Sequence, residues 1–199
     1  MRPKETGSLS PPNERKFSGP QFTAMSANVN RSISSGEIIF ATAKHASDRF
    51  NALAASVLPF VFVAKHDPND YVKEQFQNAW DEAVGGSRAI ALYLPEIVDL
   101  SAIHLESPQW VLKHTSARSV ADATNTIATL EPSISPKSAE TLWPALEKAM
   151  GGKTWDGKEV VLYAFAKFAE TAFSWYSERP SISSTIMKVC GNLQPFTDL

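Results

Sequence analysis

Three proline-bearing segments set inside helical hydrophobic patterns constrain this chain more than any other feature. Leu58-Pro59-Phe60-Val61, Leu94-Pro95-Glu96-Ile97 and Trp143-Pro144-Ala145-Leu146 share one order: a bulky apolar residue, proline, any residue, an aliphatic. After each comes a turn and an aromatic residue leading into a new helix with an early lysine: D-P-N-D-Y-V-K-E, E-S-P-Q-W-V-L-K and G-K-T-W-D-G-K-E. A proline within a helix removes one backbone hydrogen bond and crowds the preceding turn, so it bends the helix. Bent helix, turn and second helix, repeated every 35 to 50 residues or so (about the period of two-helix solenoids), is the pattern of a helix-pair stack. The phase of the first unit stays open, because Asp48-Arg49-Phe50 also fits the start of the second helix of an earlier pair.

The apolar spacing agrees. Phe50, Leu53, Ala54, Val57 and Val61 recur at helical intervals, with Ser47 placed as a cap. Ser107-Pro108 reads as a cap and first-turn proline, after which Val120, Ala123, Ile127 and Leu130 share a face until Glu131-Pro132. Ser135-Pro136 repeats that signal ahead of Ala139, Leu142, Trp143, Leu146, Ala149 and Met150, and Gly151-Gly152 closes the run. In the helix that follows, Val161, Ala164, Phe165, Phe168 and Ala172 line one face. Val160, Leu162, Ala166, Ala169 and Phe173 widen the apolar arc beyond what one partner helix covers, as an interior solenoid helix needs. An exposed binding surface or a missing neighbouring helix is the other reading of that excess.

The fold class expected is therefore all-α: an α-α superhelix of about three to four helix pairs. A boundary is expected near Gly36. Residues 1–35 read as a disordered Ser/Pro-rich leader, because Phe17, Phe22, Met25, Val29 and Ile33 are scattered without a period among Ser, Pro, Asn and charged residues. Residues 36–199 read as the helical repeats.

Charge and cysteine narrow the function. With 19 basic and 21 acidic residues the chain has no field to attract nucleic acid, so no nucleic-acid partner is expected. Cys190 is the only cysteine, which removes internal disulfides and cysteine-rich metal sites and fits a reducing compartment. It reads as a small buried hydrophobe. Met1 to Pro12 lack the apolar block of a secretory signal, and no run approaches the roughly 20 apolar residues of a membrane span. Cytoplasm, nucleus or both are expected.

Chemistry has few anchors. Gly151-Gly152-Lys153-Thr154 resembles the end of a phosphate loop, yet position 147, where such a loop needs glycine, is Glu147, and the lead-in reads as an amphipathic helix instead of a strand. The bend reading accounts for more residues: Asp156 as cap, Glu159 reaching back, Trp155 and Val160 as a hydrophobic staple. His45, His66, His104 and His114 have no metal-ligand spacing, and no Gly-x-Ser-x-Gly elbow occurs. Lys65-His66-Asp67 and His114 read as helix-end or surface polar residues, and Asp81, Glu82 and Asp99 as helix-surface carboxylates. No catalytic, cofactor-binding or metal-binding residue is assigned, and no cofactor is expected.

The segments R-F-N-A-L-A-A-S-V-L-P-F-V-F-V-A-K-H-D, A-W-D-E-A-V-G-G-S-R-A-I-A-L-Y-L-P-E-I and G-K-T-W-D-G-K-E-V-V-L-Y-A-F-A resemble, in collinear order from Ser47 to Tyr176, the C-terminal part of the large HEAT-repeat adaptor and scaffold protein of the proteasome. The resemblance implies a HEAT-like, non-enzymatic scaffold segment that binds proteasome core and regulatory particles, supports their association and takes part in quality control. Trp110, Trp143, Trp155, Phe165 and Phe168 are expected to pack between its repeats. Proteasome-contacting residues are not carried over, since no contact motif aligns. A generic HEAT-type interaction or nuclear-transport module shares the architecture; a nucleotide-dependent enzyme using Lys153 and Thr154 is the competing class.

Overall fold

A computed structural model describes residues 19–83, 86–131, 133–151 and 157–192. Among them the regular structure is helical throughout: α1 (Gly19–His45), α2 (Ser47–Ala64), α3 (Asp70–Ala83), α4 (Ser87–Leu92), α5 (Leu94–Leu105), α6 (Trp110–Leu130), α7 (Pro136–Gly151), α8 (Lys158–Thr171), α9 (Phe173–Ser177) and α10 (Pro180–Asn192).

The expected pairs form. Helix α2 packs on α3, α5 on α6, and α7 on α8, while α2, α5 and α7 stack into one layer and α1 lies along α3, α6 along α8, in the other. This is the all-α helix-pair stack predicted from the periodicity. The second layer is not continuous: α3 and α6 make no comparable approach, and α6 instead meets the C-terminal end of α2 and the short α4.

The prolines behave in two ways. Pro59 and Pro144 remain inside α2 and α7. Pro95 instead occupies the first turn of α5, behind a break at Tyr93 that separates α4. A first-turn proline lacks only an N–H that no carbonyl would have received, so starting a new helix there avoids the cost of a lost interior bond.

Several local expectations need correction. The boundary expected at residue 36 falls inside α1. Val29, Ile33, Gly36, Phe40 and Ala43 recur at alternating steps of four and three, and Val29, Ile33 and Phe40 pack on the core. Gly36 conceals the pattern because it contributes no side chain. It is buried where α1 crosses α3, and a Cβ there would sit 2.7 Å from Cβ of Gln75, so glycine permits the close approach. Residues 1–18 of the expected leader lie outside the described residues.

Ser47 is the first residue of α2, not its cap: Ala46 holds the cap position with no side-chain bond. Ser107 Oγ accepts from Gln109 N–H at 3.2 Å, so it braces the turn before α6, while Gln109 is the cap. Ser135 does cap α7, accepting from Ser138 N–H at 3.2 Å. Gly157, at φ 96°, caps α8, which places Glu159 at the second helical position; Trp155 and Asp156 lie outside the described residues. Leu53 and Leu130, expected on buried faces, are exposed.

An aromatic cluster joins α7 to α8 and continues to α9. Trp143 stacks on Phe168 at 6.4 Å between centroids and tilts against Phe165 at 6.1 Å, and Phe168 meets Trp175 edge-on at 6.2 Å. Val161, Ala164, Phe165, Phe168 and Ala172 are all buried, as their shared face predicts. Phe173 is exposed, because the helix breaks at Ala172 and α9 turns away.

Candidate interaction surface

The residues that sequence spacing offered as chemistry do not converge. Lys153 and Thr154 lie outside the described residues, but α7 runs helically to Gly151, so no strand leads into that corner. Asp81 accepts from Gln77 Nε2 one turn earlier on the α3 surface at 2.9 Å, and Glu82 and Asp99 are exposed. His45 ends α1. His104 and His114 stand on α5 and α6, each with a buried Nδ1 that has no hydrogen-bond partner; burial lowers the pKa of both. No group of three His, Cys, Asp or Glu residues placed to hold a metal occurs among the described residues. Cys190 lies on α10. The expectation of its burial lies outside what the described residues show.

One polar cluster was not legible in the sequence. Lys65 and His66, at the C-terminal end of α2, both reach Asp122 in the middle of α6, Lys65 Nζ at 3.0 Å and His66 Nε2 at 3.1 Å from the same Oδ2. Lys65 is buried, not a surface residue. Its ammonium lies 4.4 Å from the Phe62 ring centroid and 5.5 Å from that of Trp80, and those two rings meet edge-on at 5.1 Å. Burial pushes the Asp122 carboxyl up, but contact with His66 and the Lys65 charge outweigh it and hold the pKa at about 2. Burial is also the largest influence on His66; it lowers the pKa against the pull of Asp122, so the imidazole is favoured neutral. Cations near a helix C-terminus also meet the negative end of its dipole. The arrangement has no nucleophile with an activating base. Its chemistry is that of a clamp joining two helix pairs.

Beside the clamp, an open cleft of about 490 Å³ runs between α6 and α8, lined by His66, Arg118, Asp122, Asn125, Glu159 and Tyr163. Tyr163 is exposed. Trp110, expected between repeats, is instead half exposed at the start of α6, touching His114 edge-on at 6.2 Å. Tyr71, its counterpart at the start of α3, is also exposed. Trp143, Phe165 and Phe168 are buried as expected. An aromatic in the first turn of the second helix thus stands at the edge of the stack, where partners can reach it.

A stack of helix pairs with aromatic side chains displayed at its edge is the architecture of the helical-repeat class of proteins. The resemblance to the proteasome adaptor is borne out. The chain is 28% identical over 141 residues to "Proteasome component ecm29" of Schizosaccharomyces pombe, 25% over 155 residues to "Proteasome component ECM29" of Saccharomyces cerevisiae, and 31% over 135 residues to "Proteasome adapter and scaffold protein ECM29" of Homo sapiens. These matches cover 71%, 77% and 64% of this chain but 8%, 8% and 7% of the relatives, so the chain spans a small part of their length. No protein-family model and no solved structure matches the chain. No helix among the described residues is long and apolar enough to cross a membrane.

Proposed function

We propose that this chain is a non-enzymatic scaffold segment that binds proteasome particles, supporting the association of core and regulatory particles and their quality control in cytoplasm and nucleus. The observation that carries the reading is the similarity to three proteasome proteins from fungi and human across most of this chain. The architecture supports it, since a helix-pair stack binds through an extended surface and not through a catalytic pocket. Asp122, whose carboxyl is held at about 2, is engaged by Lys65 and His66 in holding helices together, which supports a role in display over one in catalysis.

Affinity purification of the tagged chain from cell extract tests the proposal. Core and regulatory particle subunits are expected in the eluate. Recovery of other partners with no proteasome subunit would contradict it, and an eluate dominated by nuclear-transport factors would favour that alternative for the same architecture.

A further inference from the structure

The cleft of about 490 Å³ between α6 and α8 lies within the several hundred Å³ usual for a bound ligand, and because it is open it suits a side chain presented by another polypeptide. Its polar groups come from both helices. Arg118, Asp122 and Asn125 recur on α6 at steps of four and three, Glu159 and Tyr163 on α8 at a step of four, so each set shares one helix face. Ala121 and Val160 supply its apolar surface, and His66 adds an imidazole from the end of α2.

The carboxylates of the cleft keep acceptor capacity that the fold does not use. Both clamp contacts end on Oδ2 of Asp122, whose side chain is 34% exposed, and Oδ1 takes no bond from a described residue. That carboxyl, held at about 2, is ionised at neutral pH. Glu159 is exposed and enters none of the other ion pairs among the described residues, which join Lys148 to Glu106, Lys167 to Glu170 and Arg179 to Glu140. With His66 favoured neutral by its burial and Lys65 buried behind Oδ2, the guanidinium of Arg118 is the one cation that lines the cleft. Tyr163 is 56% exposed; Lys167 Nζ stands 5.9 Å from its ring centroid, and a ring has a second face to offer a cation. Carboxylate and ring already hold an ammonium elsewhere in this molecule, where Lys65 meets Asp122, Phe62 and Trp80.

We infer that this cleft receives a basic side chain, arginine or lysine, of a partner polypeptide, its charge shared by Glu159 and Oδ1 of Asp122, its stem along Val160 and the Tyr163 ring, and one N–H donated to the Asn125 amide oxygen. Arg118 opposes such a guest, so removing it and removing Glu159 act with opposite signs. An acidic guest would find one guanidinium against two carboxylates. The inference deepens the scaffold reading and rests on it, since the partner that reading supplies is the proteasome particle.

The test uses the full 199-residue chain and three probes: N-acetyl-argininamide, N-acetyl-glutaminamide and N-acetyl-glutamic acid amide, which are basic, neutral and acidic. Binding is followed by NMR shifts of the Val160 methyl groups and the Asn125 side-chain amide. The basic probe is expected to shift these signals and the acidic probe to leave them in place. Glu159→Gln should weaken the basic probe about two- to fivefold, the range one exposed ion pair supplies, and Arg118→Gln should tighten it by a similar factor. Tyr163→Leu keeps apolar bulk but loses the ring face, so it should weaken the basic probe and not the neutral one. All three positions are exposed; if one variant loses its helical circular dichroism, the other two decide. No shift with the basic probe, equal shifts with the basic and acidic probes, or affinity that falls in Arg118→Gln and rises in Glu159→Gln would overturn the proposal. Co-sedimentation with purified proteasomes separates it from the reading it rests on: the wild-type chain should travel with the particles and Glu159→Lys should lower the bound fraction. A chain that travels with them equally well in both forms sinks the cleft alone. One that binds the basic probe but no particle sinks the scaffold reading instead.

Discussion

The junction of α7 with α8 and the junction of α2 with α6 solve the same problem with opposite chemistry. At the first, Trp143, Phe165 and Phe168 close the space between helices with rings alone. At the second, Lys65 and Asp122 form a largely buried ion pair capped by His66. The first joins helices adjacent in the chain; the second ties one pair to the next across a gap in the layer. The dry junction therefore carries stability by area, while the polar one carries it by geometry, and removing one partner from each should cost differently.

The largest effect is expected at the dry junction. Phe168→Ala removes a fully buried ring and leaves a cavity, which costs about 3–5 kcal/mol and should unfold most of the chain at physiological temperature in a urea titration. At the polar junction Asp122→Ala leaves Lys65 buried without its counter-charge. Asp122 is about a third exposed, so the expected loss is about 2–3 kcal/mol, at or below the usual cost of breaking a buried pair. The double variant Lys65→Met with Asp122→Leu should recover most of that loss, because an apolar pair of similar volume replaces a desolvated one. If the double variant is no better than Asp122→Ala, the clamp is not the coupled unit its distances suggest.

A smaller effect sharpens the comparison on the dry side. Gly36→Ala would gain about 1 kcal/mol of helix propensity. The new methyl would stand 2.7 Å from Cβ of Gln75, an atom that no side-chain rotation can move. Overpacking of this kind costs about 1–3 kcal/mol, so a net destabilisation of up to about 2 kcal/mol is expected in chemical denaturation. A stabilised variant would mean that α1 and α3 lie farther apart.

The smallest effect concerns pH and belongs to the polar side. His66, His104 and His114 have pKa values lowered by burial, so below their usual 6.5 the folded chain binds fewer protons than the unfolded one and stability falls as pH falls. Asp122, at about 2 against an ordinary 3.8, adds a second loss between those values. Asp67, raised by burial, acts above 3.8 with the opposite sign, adding stability as pH falls toward that value. Melting temperatures read from pH 7.5 to 5.5 should decline gently, and the share of His66 should persist or steepen in the Lys65→Met, Asp122→Leu background, because burial remains while the contact with Asp122 that raises its pKa is lost.

The dry junction could be read from the residues because its information is local. Ala139, Leu142, Trp143 and Leu146 announce a helix face by spacing, and Phe165 and Phe168 lie only one turn and one helix later. Lys65 and Asp122 sit on different repeats, and nothing in the residues around either signals the other; charge pairing across a stack is set by tertiary placement. The start of α1 was hidden for another reason. Its contacts on α3 depend on a glycine and on sparse apolar residues in a Ser- and Asn-rich stretch, so the composition resembles disorder although the four-three spacing from Val29 to Ala43 is present. Trp110 was misplaced because an aromatic at a recurring repeat position suggested a packing role, whereas the first turn of the second helix faces the edge.

Co-sedimentation of the full chain with purified proteasomes tests the central claim most directly. The account predicts that the chain travels with the particles and that Phe168→Ala, which disrupts the stack, abolishes this. A chain that is helical by circular dichroism yet remains wholly in the unbound fraction would contradict it.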